Sequence, residues 1–448
     1  MKLHTSRLNG ALLALGVCLT LVSLGGWSVH AWRRSEVATT ITAKPLSSLQ
    51  GAPARNNSNA TAVSGNQADN SAITAGAAYV FVPVIEPTIS KAFAPTSILI
   101  GGSSTLTLTL TNPNSSALTG ASFSDALTGL GAVGGAVGGT CAGTTPNTLA
   151  AGATNLTFSG ITIPANGSCT VSFAVTSNTP GTKANQTSGV ATTQTPVAGA
   201  PSNTAPLSVF ALPTISKAFS PTQIQSGGIS TVTLTLSSVN TTALTNGSFT
   251  DTLTNISAAG GAVGGTCTGT MPNPLVAGAT NLSFSGITIP SNGSCTVIFA
   301  VTSNTAGVQS NSTSGVTTAQ TPAGNASNRA LLTVIAAPTI AKVFSPTSIP
   351  SGGTSIVTLT LNNSNASVLT NGAFTDILTN ISAVGGAVGG TCAGTTPNTL
   401  AAGATNLSFS GITIPASSSC TLSFAVTSNI AGPNSNQTSG VTTTQTPV

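Results

Sequence analysis

The chain has 448 residues, of which 11 are Lys or Arg, 6 Asp or Glu and 2 His, so that only 4% is charged, against about 25% in a typical soluble domain. Acid–base catalysis, metal binding and phosphate recognition all draw on these side chains, so most enzymes, metal sites and nucleic-acid interfaces are excluded. With 40% hydrophobic residues and a mean hydropathy of +0.35, disorder is disfavoured as well.

The net charge of +5 belongs mainly to the N-terminal region, where Lys2, Arg7, Arg33, Arg34, Lys44 and Arg55 stand against Glu36 and Asp69. From Glu86 onward, Lys91, Lys183, Lys217, Arg329 and Lys342 stand against Glu86, Asp125, Asp251 and Asp376, and no basic stripe exists. Both histidines, His4 and His30, fall in the first 31 residues. The remainder has no ordinary general base.

Lys2 and Arg7 precede an apolar run over residues 8–27, and Val29-His30-Ala31 has small residues where a signal peptidase cuts. Residues 1–31 are therefore expected to be a signal peptide, with an uncleaved membrane anchor as the alternative. Residues 32–86, rich in Ala, Ser, Asn and Thr, read as a flexible spacer.

From Pro87 the chain is a tandem array. Pro87-Thr-Ile-Ser-Lys-Ala-Phe-Ala-Pro-Thr recurs with small changes from Pro213 and from Pro338, a period of about 125 residues. The units are 87–212, 213–337 and 338–448. Within unit one, Leu106, Leu108 and Leu110 alternate with threonines, and Val171, Phe173 and Val175 alternate with Thr170, Ser172 and Thr176, the period of a half-buried strand. Leu156 and Phe158 have one parity and Ile161 and Ile163 the other, so a bulge near Ser159-Gly160 is expected to keep all four inward. Seven or eight strands per unit and no amphipathic helix predict an all-β chain: three tandem immunoglobulin-like antiparallel sandwiches in an extended rod.

Six cysteines lie in the units, at Cys141 and Cys169, Cys267 and Cys295, Cys392 and Cys420, with one common separation of 28. Six thiols allow 15 connectivities; repeat symmetry leaves one natural choice, a bridge within each unit. Cys169 shares the parity of Val171 and Phe173 and should face the core. Zinc would need four ligands where a unit offers two thiols, and a nucleophilic thiol would need a base. Disulfides imply an oxidising compartment.

Asp125, Asp251 and Asp376 occupy one equivalent position, as do Lys91, Lys217 and Lys342. The aspartates are expected to form Asx-type turns at strand ends. Calcium between units is the rival reading and lacks a second acid nearby; pairing with the lysines is a further one. No catalytic residue, cofactor or metal is expected. The glycine runs at 134–139, 260–265 and 385–390 lack the Lys-Ser/Thr of a phosphate loop and read as flexible loops. Alternating Thr105, Thr107, Thr109 and Thr111 could present an ice- or mineral-binding array, although twisted antiparallel strands break such a lattice.

The Pro-Thr-Ile-Ser-Lys-x-Phe-x-Pro-Thr opening, the Gly-Gly turn before Thr-Leu-Thr-Leu-Thr-Leu-Thr-Asn, the Phe-Ser/Thr-Asp-x-Leu segment and the Asn-Gly-Ser-Cys-Thr-Val strand resemble the immunoglobulin-like conserved repeat of bacterial surface proteins, the family of domain of unknown function eleven and its relatives. The resemblance implies a secreted or cell-surface bacterial protein with structural or adhesive roles and no catalytic residues, and the leader adds the expectation of Sec export. Residues 65–82 are similar to a strand and turn of integrin-type propeller repeats, too short for a blade.

Units one and two end in plausible last strands, Ala205-Pro-Leu-Ser-Val-Phe210 and Ala330-Leu-Leu-Thr-Val-Ile335, whereas no counterpart precedes Val448. Unit three should therefore expose an unpaired edge and a gap in its core. Ala78-Tyr-Val-Phe-Val-Pro83 stands where a previous unit's last strand would be, so strand addition into another molecule's unit three would give a head-to-tail filament; a truncated reading frame explains the same ends. The expected function is that of a non-catalytic stalk, adhesive or structural, meeting cell-surface or matrix components or itself. No nucleic-acid partner is expected, and membrane contact only through an uncleaved leader.

Overall fold

The structure, a computed structural model, describes residues 83–447. The expected signal peptide, most of the spacer and the propeller-like stretch lie outside the described residues. Every regular element described is a β-strand.

In unit one, β1 (Thr88–Ala94), β2 (Ser97–Leu99), β3 (Ser103–Asn112) and β4 (Leu118–Ala126) are followed by four two-residue pieces, β5 (Gly131–Ala132), β6 (Gly135–Ala136), β7 (Gly138–Gly139) and β8 (Thr148–Leu149), and then by β9 (Asn155–Ile163), β10 (Gly167–Thr176), β11 (Gly181–Asn185) and β12 (Ala205–Phe210). One antiparallel sheet runs β1-β3-β10-β5, with β7 also on β10. Its register aligns Phe93, Leu106 and Phe173 in one row, Lys91, Leu108 and Val171 in the next, and Ile89, Leu110 and Cys169 in the third. Because strand residues alternate between faces, all nine point to the same side, and that side is buried. Facing it are the β4–β9 pair and the sheet β11-β12-β2, in which β12 runs antiparallel to β11 and parallel to β2.

The layers meet on aromatic contacts. Phe123 of β4 lies 5.2 Å from Phe158 of β9, which lies 5.7 Å from Phe173 of the opposite sheet, measured between ring centroids. Corresponding triplets, Phe249-Phe284-Phe299 and Phe374-Phe409-Phe424, fill the other units. Such pairs contribute roughly 0.5–1.5 kcal/mol beyond the area they bury.

The β4–β9 ladder carries two irregularities. Phe123 pairs Phe158 and Ala121 pairs Ile161, so the extra residue on β9 falls at Ser159-Gly160 and turns Phe158, Ile161 and Ile163 all inward. A second bulge, on β4 at Thr119-Gly120, was not apparent from parity. Gly120 has φ +61°, and its counterparts are Asn246 at +53° and Asn371 at +54°, asparagine being the side chain that best tolerates the left-handed region.

The glycine runs differ from the expected flexible loops. Gly138 and Gly139 are laid against β10 opposite Ser172 and Val171, and Gly139 has φ +116°. A Cβ there would sit 2.1 Å from the Thr170 carbonyl oxygen, so only glycine permits so close an approach. That approach positions Cys141, whose amide donates to Thr170 O at 3.0 Å, beside Cys169. The structure bonds Cys141 to Cys169, Cys267 to Cys295 and Cys392 to Cys420, each with Cα atoms 4.8 Å apart.

Unit two repeats this arrangement through its own last strand, Ala330–Ile335, which pairs with Gly307–Asn311 and Gln223–Gln225. Unit three has the equivalents of β1, β3, β4, β9 and β10, but among the described residues no strand stands at the places of β2, β11 and β12. Ile340 and Phe344 are accordingly half-buried, whereas Ile89 and Phe93 are buried. A cavity of about 850 Å³ opens there, lined by Lys342, Phe344, Ile381, Val426, Ile430 and Pro433 among others.

Phe158 is wholly enclosed and bridges the layers, so Phe158→Ala is expected to destabilise unit one by about 3–5 kcal/mol. Calorimetry on the full chain should show one of three unfolding components moving to lower temperature while two stay in place.

Candidate functional site

Burial patterns place three polar side chains of each unit inside the sandwich. In β1, Ile89, Lys91 and Phe93 share the inward face; in β4, Phe123 and Asp125 do; and Asn185, the last residue of β11, is also buried. The strands come from different layers, so the fold brings together residues far apart in sequence. Lys91 Nζ is 2.8 and 2.7 Å from the two oxygens of Asp125 and also contacts Asn185 Oδ1. Asn185 Nδ2 donates to Asp125 Oδ1 and to the Ala126 carbonyl, both at 2.9 Å. Lysine and aspartate side chains are fully enclosed.

Unit two places Lys217 Nζ against Asp251 Oδ2 and Asn311 Oδ1, with Asn311 Nδ2 donating to Thr252 O at 2.8 Å. Asp251 Oδ1 is buried without a hydrogen-bond partner, and the Lys217 ammonium lies 5.8 Å from the centre of the Phe219 ring. In unit three Lys342 Nζ is 2.7 Å from each oxygen of Asp376 and contacts Asn436 Oδ1, while Asn436 Nδ2 donates to Asp376 Oδ1 at 2.8 Å. There the lysine side chain is 10% exposed, against none in units one and two. The first strand is also held from outside: Asn203 accepts from the Lys91 amide and donates to its carbonyl, as Asn328 does for Lys217.

Burial pushes Lys91, Lys217 and Lys342 below the ordinary lysine pKa, the aspartate opposing this through a hydrogen bond and its charge. Enclosing an ion pair brings little net stability, because the loss of hydration offsets the attraction. A site of this kind, present in every unit, calls for another reason to exist.

Asp125, Asp251 and Asp376 thus do not form Asx turns. Each lies within a strand, carboxylate inward, paired with the lysine of the same unit. The turn assignment fails because the strand continues for one residue past each aspartate, and the loop begins only at the leucine beyond it. The asparagines were missed. In a chain this rich in Asn, the one signal was recurrence of Asn-Gln/Ser-Thr-Ser-Gly-Val at residues 185, 311 and 436. The threonines of β3 face away from the core beside Thr88 and Ser90 on one side and Thr170 and Ser172 on the other, giving an uncharged hydroxyl surface.

The sequence profile of the family described as Domain of unknown function (DUF7933) matches three times, over residues 87–209, 213–334 and 338–447. The chain belongs to this family. No curated protein matches the sequence. Among solved structures, the C-terminal domain of the Streptococcus agalactiae AgI/II polypeptide BspA is 9% identical, with 55% of this chain and 99% of that one covered and a TM-score of 0.30. A membrane-anchored protein from Corynebacterium diphtheriae is 14% identical, with 80% and 91% covered and a TM-score of 0.19. Invasin, a bacterial integrin-binding protein, is 13% identical, with 80% and 57% covered and a TM-score of 0.25.

Each DUF7933 unit therefore combines a disulfide near one sheet edge with a Lys-Asp-Asn cluster joining its layers. Asp125→Ala would leave the Lys91 ammonium enclosed without a counter-charge and is expected to cost unit one about 3–5 kcal/mol. Denaturant unfolding followed by far-ultraviolet circular dichroism measures it; a change within about 0.5 kcal/mol, ordinary for a surface substitution, would mean the pair does not matter to stability.

Proposed function

We propose that the chain is an exported, non-catalytic protein whose three DUF7933 units act as a disulfide-locked structural or adhesive stalk at the cell surface. The observation that carries this reading is the threefold recurrence of a unit with its own core, its own disulfide and an inward-facing ion pair. Disulfides persist where the surroundings are oxidising, which supports export. With six of the eight charged side chains of residues 87–448 turned into the core, Lys183 and Arg329 being the others, the outer faces depend little on salt or pH. Labelling intact producing cells with a membrane-impermeant reagent is expected to mark the units, and deleting residues 87–448 to lower attachment to surfaces or partner cells. A chain recovered only in the cytosol with reduced cysteines would sink the reading.

A second reading, head-to-tail assembly by strand addition, is favoured by the open side of unit three. Ala211 and Ala336, which follow the last strands of units one and two, are each gripped by an asparagine of the next unit: Asn240 accepts from the Ala211 amide and donates to its carbonyl, and Asn365 does the same for Ala336. Ile85 is held identically by Asn114. Residues 79–84, Tyr-Val-Phe-Val-Pro-Val, therefore stand in sequence where 205–210 and 330–335 do, and a second copy's residues 79–84 are the occupant assigned to the cleft. Electron microscopy and sizing of the purified chain are expected to show concentration-dependent filaments. These should be abolished by deleting Tyr79 to Val82, and by fusing a copy of residues 326–335 after Val448 so that the cleft is filled in cis. A monomer at high concentration, unchanged by either alteration, would exclude assembly.

A further inference from the structure

In each unit a lysine amine, an asparagine carboxamide and an aspartate carboxylate are enclosed together, and the arrangement differs from that of a simple ion pair. An asparagine recruited only to satisfy the aspartate would need to offer no more than its Nδ2. Here its Oδ1 is turned onto the lysine Nζ in all three units, which puts the amine beside the carboxamide carbon, one bond from that oxygen. The aspartate touches both reacting groups in units one and three, Nζ at 2.7–2.8 Å and Nδ2 at 2.9 and 2.8 Å, within the reach proton transfer requires. In unit two it holds Nζ through Oδ2 and keeps Oδ1 buried and unpartnered.

We propose that each unit closes an intramolecular amide bond between lysine and asparagine, Lys91 to Asn185, Lys217 to Asn311 and Lys342 to Asn436, with Asp125, Asp251 and Asp376 as the catalytic acid–base groups. The ammonium first gives a proton to the aspartate. Its freed lone pair attacks the asparagine Cγ, the carbonyl electrons moving onto Oδ1. The aspartate then passes protons from Nζ to Nδ2; the electron pair on Oδ1 re-forms the carbonyl as the Cγ–Nδ2 bond breaks with its own pair leaving on nitrogen, and ammonia departs, as ammonium once the second lysine proton has followed. The carboxylate is regenerated. No oxidant, metal or cofactor enters the balance, and the two chain groups are already held at contact distance, the condition under which an otherwise very slow aminolysis becomes effectively unimolecular.

The setting suits the step. Burial lowers the lysine pKa and so favours the neutral, nucleophilic amine. Phe93 and Phe123 flank Lys91 and Asp125 in their strands and are themselves buried, which keeps water from competing as nucleophile. Each pair lies 94 residues apart, so the new bond would tie the first strand to the segment that precedes the last.

Intact-mass spectrometry of the full chain after disulfide reduction tests this without any substitution. Each bond lowers the mass by about 17 Da, the ammonia lost; three such losses are expected, with peptide mapping recovering branched peptides that join Lys91 to Asn185 and their counterparts. Asp125→Ala is expected to return one such increment, and Asn185→Ala to do the same for the same unit, with circular dichroism reporting that the chain remains folded. A folded wild-type chain of unreduced mass overturns the proposal. So does a loss that mapping traces to a succinimide at an asparagine, or a branched Lys91–Asn185 peptide that forms equally well in folded Asp125→Ala.

Discussion

A lysine with no access to water must find its counter-charge within the protein, and in each unit the opposite layer supplies it. Lys91 stands on the inward face of the first strand, in a row with Leu108 and Val171, so Asp125 has to be presented at one height on the facing β4, inward and not outward. A slip of one residue in either strand would turn a charge to the wrong face. The ion pair thus fixes the register of the two layers against each other, something that interchangeable leucines and valines do less sharply. The bulges of the β4–β9 ladder serve the same end, since they let Leu118, Ala121, Phe123 and Asp125 all face inward although their spacing is uneven.

Much of the architecture was legible in the sequence because it rests on short-range periodicity and on repetition. Leucine–threonine alternation marked β3, the parity change between Phe158 and Ile161 marked the bulge on β9, and the common cysteine spacing left one economical pairing. The features that stayed open or escaped notice depend on contacts made across the fold. Asp125 looks like a turn residue in its local context, and its pairing with Lys91, one of three readings the sequence allows, is decided only when β4 is laid over β1. Asn185 is one asparagine among many until β11 brings it to Lys91. The glycine runs looked flexible because composition reports freedom of the backbone; the use made of that freedom, an approach to β10 too close for any Cβ, is a property of the neighbour.

Unit three shows what the third sheet contributes, since its counterparts of β1, β3, β4, β9 and β10 match those of unit one while, among the described residues, no strand stands at the places of β2, β11 and β12. Ile340 and Phe344 there lose part of their cover, Lys342 gains some exposure, and a cavity opens beside the ion pair. The Phe374-Phe409-Phe424 contacts and the disulfide are unaffected, with ring centroids still 5.1 and 5.8 Å apart. The core therefore has two parts: an aromatic centre that β4, β9 and β10 sustain unaided, and a lateral part around the lysine that needs the third sheet.

The nesting of the two pairings has a mechanical meaning. Cys141 and Cys169 both lie inside the interval from Lys91 to Asn185, as the other disulfides do in their units. Tension applied along the chain enters a unit through β1 and leaves through β12, so it reaches the Lys-Asp-Asn contact before it reaches any part of the 94-residue interval between them. The disulfide, enclosed within that span, would bear load only after the outer contact had given way. One device guards the unit against pulling from its ends, and the other preserves the sheet edge once that guard has failed.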